Sequence, residues 1–61
     1  MFIEVKTQTG QAMVNLNNVE LIETFSRDGE EYAVFTLLKQ GYFHTREDYE
    51  TIKQRIKNLG R

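Results

Sequence analysis

The chain combines a length of 61 residues with a complete lack of cysteine, and this combination limits what it can fold into. A domain of this length buries only about 60% of the surface that its unfolded chain exposes, and its core rarely contributes more than ~3–5 kcal/mol. Disulfides are excluded, and a structural zinc site is not expected because His44 is the single histidine. We therefore expect one domain, residues 1–61, stabilised by good local structure or by association with another chain.

Alternating side chains predict short strands separated by turns. Residues 2–7 alternate with a period of two, which places Ile3 and Val5 inward. Residues 19–26 also alternate, but neither face is cleanly apolar, which fits a strand that begins buried and ends in solvent. We predict strands over residues 2–7, 12–15, 19–26, 32–38 and 42–44.

Turn residues lie between these predicted strands at regular intervals. Gly10 can adopt positive φ, and the run Asn15–Asn18 favours a tight turn with Leu16 beneath it. Asp28-Gly29 is a strong hairpin signal, and Lys39-Gln40-Gly41 forms the last turn. The spacing predicts an antiparallel β-meander of four to five short strands.

A C-terminal amphipathic helix completes the predicted α+β fold. Thr45 is suited to be its N-cap, with Asp48 three residues later in a capping-box position, and Gly60 is suited to end it. Acidic residues crowd the start and basic residues the end, which favours the helix macrodipole. A single apolar stripe, spaced by three, four and three residues, predicts the buried face: Tyr49, Ile52, Ile56 and Leu59.

The charges are divided unequally along the chain. Residues 1–31 carry six acidic and two basic side chains, for a net charge of −4, whereas residues 32–61 carry three acidic and six basic ones, for +3. This division indicates either a basic face for nucleic acid or, more simply, a charged helix after acidic strands.

The sequence does not favour catalysis. His44 has no evident nucleophile beside it, and the pairs Glu30-Glu31 and Glu47-Asp48 are explained by a turn and a helix start. No phosphate-binding loop, zinc motif or calcium loop is present. We expect a protein that is not an enzyme and needs no cofactor. No apolar run approaches ~18 residues and the N-terminus alternates, so we expect a cytoplasmic protein without membrane contact.

One resemblance covers most of the chain. An N-terminal strand, a turn with Gly10, the segment Val14–Glu23 (VNLNNVELIE), the turn Leu38–Gly41 (LKQG) and a helix opening at Thr45 follow one another. From Ile3 to Ile56 this outline resembles the FlbD family of small flagellar proteins and similar bacterial and phage proteins. The resemblance implies no catalytic residue and action through other proteins. The acidic hairpin from Arg27 to Glu31 is longer than the turn expected in that family.

A second resemblance is confined to the segment Phe43–Tyr49 (FHTREDY). It is similar to the strand-to-helix segment of the CsrA family of RNA-binding regulators, in which an arginine contacts RNA. Only Arg46 carries over, with Thr45 inserted, and Glu4 stands where that family has an apolar or basic strand residue. Independently of the resemblance, RNA binding requires basic side chains at the backbone and aromatic rings for stacking, and four residues are suited to form a small patch of this kind: Lys39, Tyr42, Phe43 and Arg46.

Three functional hypotheses remain open at this level. The first is a small adaptor, regulator or inhibitor that acts by protein–protein contact, of bacterial, phage or plasmid origin. Its contact surface would be the outer sheet face and hairpin, and it would draw on four aromatic residues, two of which we expect in the core: Tyr32, Phe35, Tyr42 and Phe43. The second is a nucleic-acid-binding regulator that uses basic side chains: Lys39, Arg46, Lys53, Arg55 and Lys57. The third is a structural homo-oligomer, such as a homodimer, assembled through edge strands.

Overall fold

A computed structural model describes residues 1–60, which form two antiparallel sheets followed by one helix. The first sheet pairs β1 with β2, and the second has the order β3-β4-β5. A short 3-10 helix over Leu16–Asn18 joins them. The predicted α+β meander with a C-terminal helix is confirmed. The elements are β1 (Phe2–Thr7), β2 (Gly10–Asn15), β3 (Val19–Arg27), β4 (Glu30–Leu37), β5 (Gly41–His44) and α1 (Tyr49–Leu59).

The turns form where the sequence predicts them. Asp28 and Gly29 have φ angles of 54° and 81°, and they link Arg27 to its register partner Glu30 in a two-residue hairpin. Positive φ at both central positions is the signature of the turn that matches the twist of paired strands. At the 3-10 helix, the Asn15 side chain accepts a hydrogen bond of 3.0 Å from the backbone N–H two residues later.

A β-bulge at Glu20 explains why β3 lacks a cleanly apolar face. Val19 lies opposite Leu37 and Leu21 lies opposite Thr36, so Glu20 is the extra residue. The bulge changes the alternation, and Val19 and Ile22 consequently both pack against the core although their separation is odd. β3 is thus partly buried at its start and exposed towards its end, as predicted.

The core lies between the two sheets and the helix. Ile3 and Val5 of β1, Ala33 and Phe35 of β4, and Ile52 of α1 are buried and belong to one cluster, together with Val14. The inward orientation predicted for Ile3 and Val5 is confirmed, as is the burial of Ile52. Ile56 is half-buried against the same cluster, and Leu59 is exposed at the end of the predicted stripe.

The predicted helix start at Thr45 is wrong. Helix α1 begins at Tyr49 with Asp48 as its N-cap, and the Asp48 side chain makes no capping hydrogen bond. Thr45 is only 2% exposed, because its hydroxyl donates to the Ala33 carbonyl at 2.8 Å. The same hydroxyl accepts from the Glu47 N–H at 3.3 Å, so it stabilises a bend at Arg46 and Glu47 that precedes the helix.

The segment from Thr45 to Glu47 connects the two sheets. The Thr45 N–H donates to the Ala33 carbonyl at 3.1 Å, and the Ala33 N–H donates to the Glu47 carbonyl at 2.8 Å. On its other side, the Arg46 N–H donates to the Lys6 carbonyl at 2.8 Å. This short stretch therefore lies between β4 and β1 and hydrogen-bonds to both.

An ion pair fastens α1 to this junction. Arg55 donates from Nη2 to Glu47 Oε1 at 2.7 Å and from Nη1 to Glu47 Oε2 at 2.9 Å. Glu47 also accepts from the Lys6 N–H at 2.9 Å, and Arg55 donates to the Glu4 carbonyl at 2.8 Å. Hydrogen bonds from Arg55 lower the pKa of Glu47, and the same contact raises the pKa of Arg55.

The C-terminal end of α1 matches the prediction. Gly60 is the C-cap, and its N–H donates to the Lys57 carbonyl at 3.2 Å. Across residues 1–60, no helix is long and apolar enough to cross a membrane.

Candidate interaction surface

The three-stranded sheet has one face that points away from the core. Because directly opposite residues of an antiparallel pair share a face, the register defines its members. Leu21 lies opposite Thr36, Phe25 opposite Tyr32, and Val34 opposite both Glu23 and His44. We call this surface the outer face, and it consists of Leu21, Glu23, Phe25, Tyr32, Val34, Thr36, Tyr42 and His44.

Three rings form a cluster on the outer face. The ring centroids of Phe25 and Tyr32 are 5.4 Å apart, those of Phe25 and His44 are 5.6 Å apart, and those of Tyr32 and His44 are 5.8 Å apart. Phe25 and His44 belong to strands on opposite sides of β4, so their rings meet above that strand. Val34 points to the same face at this position, and its 7% exposure is explained by the rings around it.

Large apolar side chains remain exposed beside the ring cluster. Leu21 is 48% exposed, Phe25 41% and Tyr42 72%. Single exposed apolar residues are ordinary on protein surfaces, but a group on one sheet face marks an interaction site. The outer face matches this description; in the other sheet, Phe2 on β1 and Met13 on β2 are also exposed.

An open groove adjoins the outer face. It has a volume of about 840 Å³ and lies between the β3–β4 hairpin and the segment that links β5 to α1. Two basic and three acidic side chains lie along it, so it favours neither sign of charge strongly. Tyr32 and His44 belong both to this groove and to the outer face. Its lining residues are Gln8, Arg27, Asp28, Glu30, Glu31, Tyr32, His44, Thr45 and Arg46.

The four predicted aromatic contact residues divide between the two faces. Tyr32 and Tyr42 lie on the outer face, whereas Phe35 is fully buried and Phe43 packs against the core. Phe35 and Phe43 are register partners with centroids 6.2 Å apart. Phe35 and Phe43 are therefore core residues rather than contact residues. Strand parity requires this, since Tyr42 and Phe43 are adjacent and must point to opposite faces.

The predicted basic residues are not gathered into one patch. Arg55 is engaged by Glu47, and of the five only Arg46 lines the groove, where Arg27 is the other basic side chain. Arg46 lies before α1 and not within it. Lys39 lies in the β4–β5 turn, and Lys53 and Lys57 are exposed on the helix.

Sequence reasoning missed Leu21, Phe25 and His44. The signal was present, because alternation places Leu21, Glu23 and Phe25 on one face. A two-residue hairpin at Asp28-Gly29 then fixes Phe25 opposite Tyr32. The hairpin register, combined with the alternation of side chains along each strand, therefore predicts that Leu21, Phe25 and Tyr32 lie on the same face.

The site offers few ligands for a metal. Among residues 1–60 there is no group of three or more histidine, cysteine, aspartate or glutamate side chains placed to hold an ion. The chemistry available at the outer face is apolar contact, ring stacking and hydrogen bonding from Tyr32, Tyr42 and His44.

Comparison of the chain with protein-family models, with curated proteins and with solved structures finds no match. The inference of function therefore depends on the outer face and the groove.

Proposed function

We propose that this chain is a non-catalytic interaction module that binds a protein partner through its outer face. The observation that carries the proposal is the exposure of Leu21, Phe25 and Tyr42 around the ring cluster, on a sheet face that the fold leaves open. Aromatic residues are enriched in interface cores because they bury a large area at little entropic cost. A cytoplasmic location and a regulatory or inhibitory role belong to the same proposal.

Site-specific photocrosslinking tests this proposal. A photoreactive phenylalanine derivative at position 42 should crosslink a protein partner in a lysate of the source cells, and the same group at position 13 should not. Met13 is a matched control because it is 62% exposed and lies on β2, in the other sheet. The Leu21→Ser/Tyr42→Ser double variant, folded by circular dichroism, should lose the partner. Equal crosslinking from both positions would contradict the proposal.

A second function is favoured by one feature of the groove. Arg46 lies there with Arg27, beside the rings of Tyr32 and His44, and single-stranded nucleic acid is bound by such a combination of cations and stacking platforms. The three acidic residues along the same groove oppose it. If several phosphates are neutralised, the logarithm of the affinity for a single-stranded RNA should fall steeply with the logarithm of salt concentration. No binding at ~50 mM salt would eliminate this function.

A further inference from the structure

We propose that the outer face binds the outer face of a second copy of this chain, with a two-fold axis that runs along β4. This inference rests on the proposed function, because it names the partner of the same surface. Two sheets that pack face to face keep their strands within about 30° of each other and lie ~10 Å apart. In this arrangement β3 of each copy faces β5 of the other, and β4 faces β4.

The charges on the outer face select this axis. Its central row contains Glu23, Val34 and His44, in that order across the three strands. An axis along β4 places each Glu23 opposite His44 of the second copy, and the two Val34 side chains opposite each other. An axis across the strands through this same row would instead place Glu23 opposite Glu23, and like charges in direct opposition destabilise an interface.

The same axis matches the apolar residues. Leu21 and Tyr42 are the two ends of the neighbouring row, with Thr36 between them. After the two-fold rotation, each exposed Leu21 side chain faces the exposed Tyr42 of the second copy. Both of the most exposed apolar positions on this part of the face are thereby covered.

Edge-to-edge pairing is less favourable than this face-to-face arrangement. β3 is the longest strand and forms one edge of its sheet, so it could pair with β3 of a second copy. A two-fold axis through the middle of Val19–Arg27 falls at Glu23, which would again bring two carboxylates together. The bulge at Glu20 also disturbs the regular edge that such a pairing needs.

The size of the face sets the expected affinity. Three strands ~4.8 Å apart, each contributing about six residues of ~3.3 Å, define a face of roughly 300 Å². A standard stable interface buries about 800 Å² per partner, so this dimer should be weak and dependent on concentration. We expect a dissociation constant in the micromolar range or weaker.

Sedimentation equilibrium of charge variants tests the arrangement, over a protein concentration of about 1 µM to about 1 mM. Glu23→Arg and His44→Glu should each weaken the dimer by about tenfold or more, since each places like or unpaired charges in opposition. The double variant Glu23→Arg/His44→Glu should restore the affinity to within about threefold of the wild type, because an axis along β4 pairs the two new charges. With an axis across the strands, or with β3 edges paired, the double variant would repel itself.

Engineered cysteines provide a test that does not depend on these charges. The chain has no cysteine, so Leu21→Cys/Tyr42→Cys introduces the only two. Within one copy the two positions lie two strands apart, at roughly 10 Å, which is too far for a disulfide. Mild oxidation should give a covalent dimer, and the control pair Met13→Cys/Tyr42→Cys should remain monomeric.

The outcomes separate this inference from the proposed function. A monomer at every concentration, no covalent dimer, or failure of the double charge variant to recover affinity would overturn the inference. If position 42 then crosslinks a different protein, the outer face is still an interaction surface and only its occupant is wrong. If position 42 crosslinks neither a second copy nor another protein, the proposed function fails as well.

Discussion

The two faces of β4 are made from alternate residues of one strand, yet they meet very different surroundings. On the inner face Ala33 and Phe35 are completely buried among residues of β1, β2 and α1. On the outer face Tyr32 and Val34 are covered only by neighbouring side chains of their own sheet. Residues 1–60 contain one α-helix, and that helix packs against the inner side.

This difference shows how a chain of 61 residues uses its apolar side chains. One face supplies stability and the other remains available for binding, because α1, the only α-helix within residues 1–60, packs on the inner face. Substitutions on the inner face should therefore cost stability, and substitutions on the outer face should cost association.

Phe35→Ala should have the largest effect. Removal of a fully buried phenylalanine typically costs about 3–5 kcal/mol, which equals the whole stability expected from a core of this size. Urea denaturation followed by circular dichroism should show a chain that is largely unfolded without denaturant. A stable, cooperatively folded variant would mean that the inner face is not the main source of stability.

Glu47→Gln should cost about 2 kcal/mol, since hydrogen bonds to charged groups contribute more than neutral ones and Arg55 would lose its counter-charge. Denaturant midpoints measure the difference. Glu30→Gln is a suitable control, because Glu30 is exposed in the hairpin. If Glu47→Gln and Glu30→Gln reduce the free energy of unfolding by the same small amount, the ion pair does not hold α1 against the sheets.

The same carboxylate should make stability depend on pH. Hydrogen bonds from Arg55 hold the pKa of Glu47 in the folded chain below its ordinary value of 4.5. The stability that the ionised carboxylate contributes is therefore complete above pH 4.5 and is lost as the pH falls through the folded pKa. Asp48 adds to the same trend, because a hydrogen bond from Thr51 lowers its pKa. Between neutral pH and about pH 3, the melting temperature should fall, and it should fall less in Glu47→Gln than in the wild type. An identical fall in melting temperature in the two proteins would show that Glu47 is not a source of the pH dependence.

Thr45→Val should cost about 1–2 kcal/mol, because the hydroxyl donates to the Ala33 carbonyl and accepts from the Glu47 N–H, and each hydrogen bond usually contributes ~1 kcal/mol. Valine preserves the shape of the buried side chain, and the Ala33 carbonyl retains its bond from the Thr45 N–H. Thermal melts of Thr45→Val and of Thr45→Ser, which keeps the hydroxyl, would separate hydrogen bonding from packing. A helix-cap role for Thr45 would instead predict a loss of helical signal in Thr45→Val, with the signal kept in Thr45→Ser.

Tyr42→Ala should change the free energy of unfolding by less than about 0.5 kcal/mol, as is usual at exposed positions without special contacts. The same variant should abolish association at the outer face. Denaturation and sedimentation of the same preparation give both quantities. A large loss of stability would show that Tyr42 belongs to the fold and would remove the contrast between the faces.

Local patterns were sufficient to predict most of the fold. The inward positions of Ile3 and Val5, the Asp28-Gly29 hairpin and the burial of Ile52 follow from alternation, turn chemistry and helical spacing. Each of these depends on residues that are close together in sequence. The prediction for Thr45 failed because this residue is held in the core by hydrogen bonds to the carbonyl of Ala33, twelve residues away in sequence. No local rule reveals a contact of this range.

The candidate surface was predicted only in part. Of the four aromatic candidates, two were expected in the core, and the structure places Phe35 and Phe43 there and Tyr32 and Tyr42 on the outer face. Aromatic content alone could not identify which two are buried, because that depends on which face of the strand each residue occupies. The bulge at Glu20 could not be predicted, since it depends on how β3 meets Leu37 and Thr36. The ion pair of Glu47 and Arg55 depends on the position of the helix start, and sequence reasoning placed the N-cap at Thr45, three residues before the observed N-cap, Asp48.

The junction between Lys6, Glu47 and Arg55 has a consequence for the order of folding. Its hydrogen bonds join residues separated by 41 and 51 positions, nearly the whole chain. Contacts of such long range form late, because closing a large loop costs entropy before any contact compensates it. During synthesis, the β1–β2 hairpin can form early but stays unattached until Arg55 has left the ribosome. Among the elements of residues 1–60, the helix is synthesised after every strand, and its contacts with β1 complete the fold.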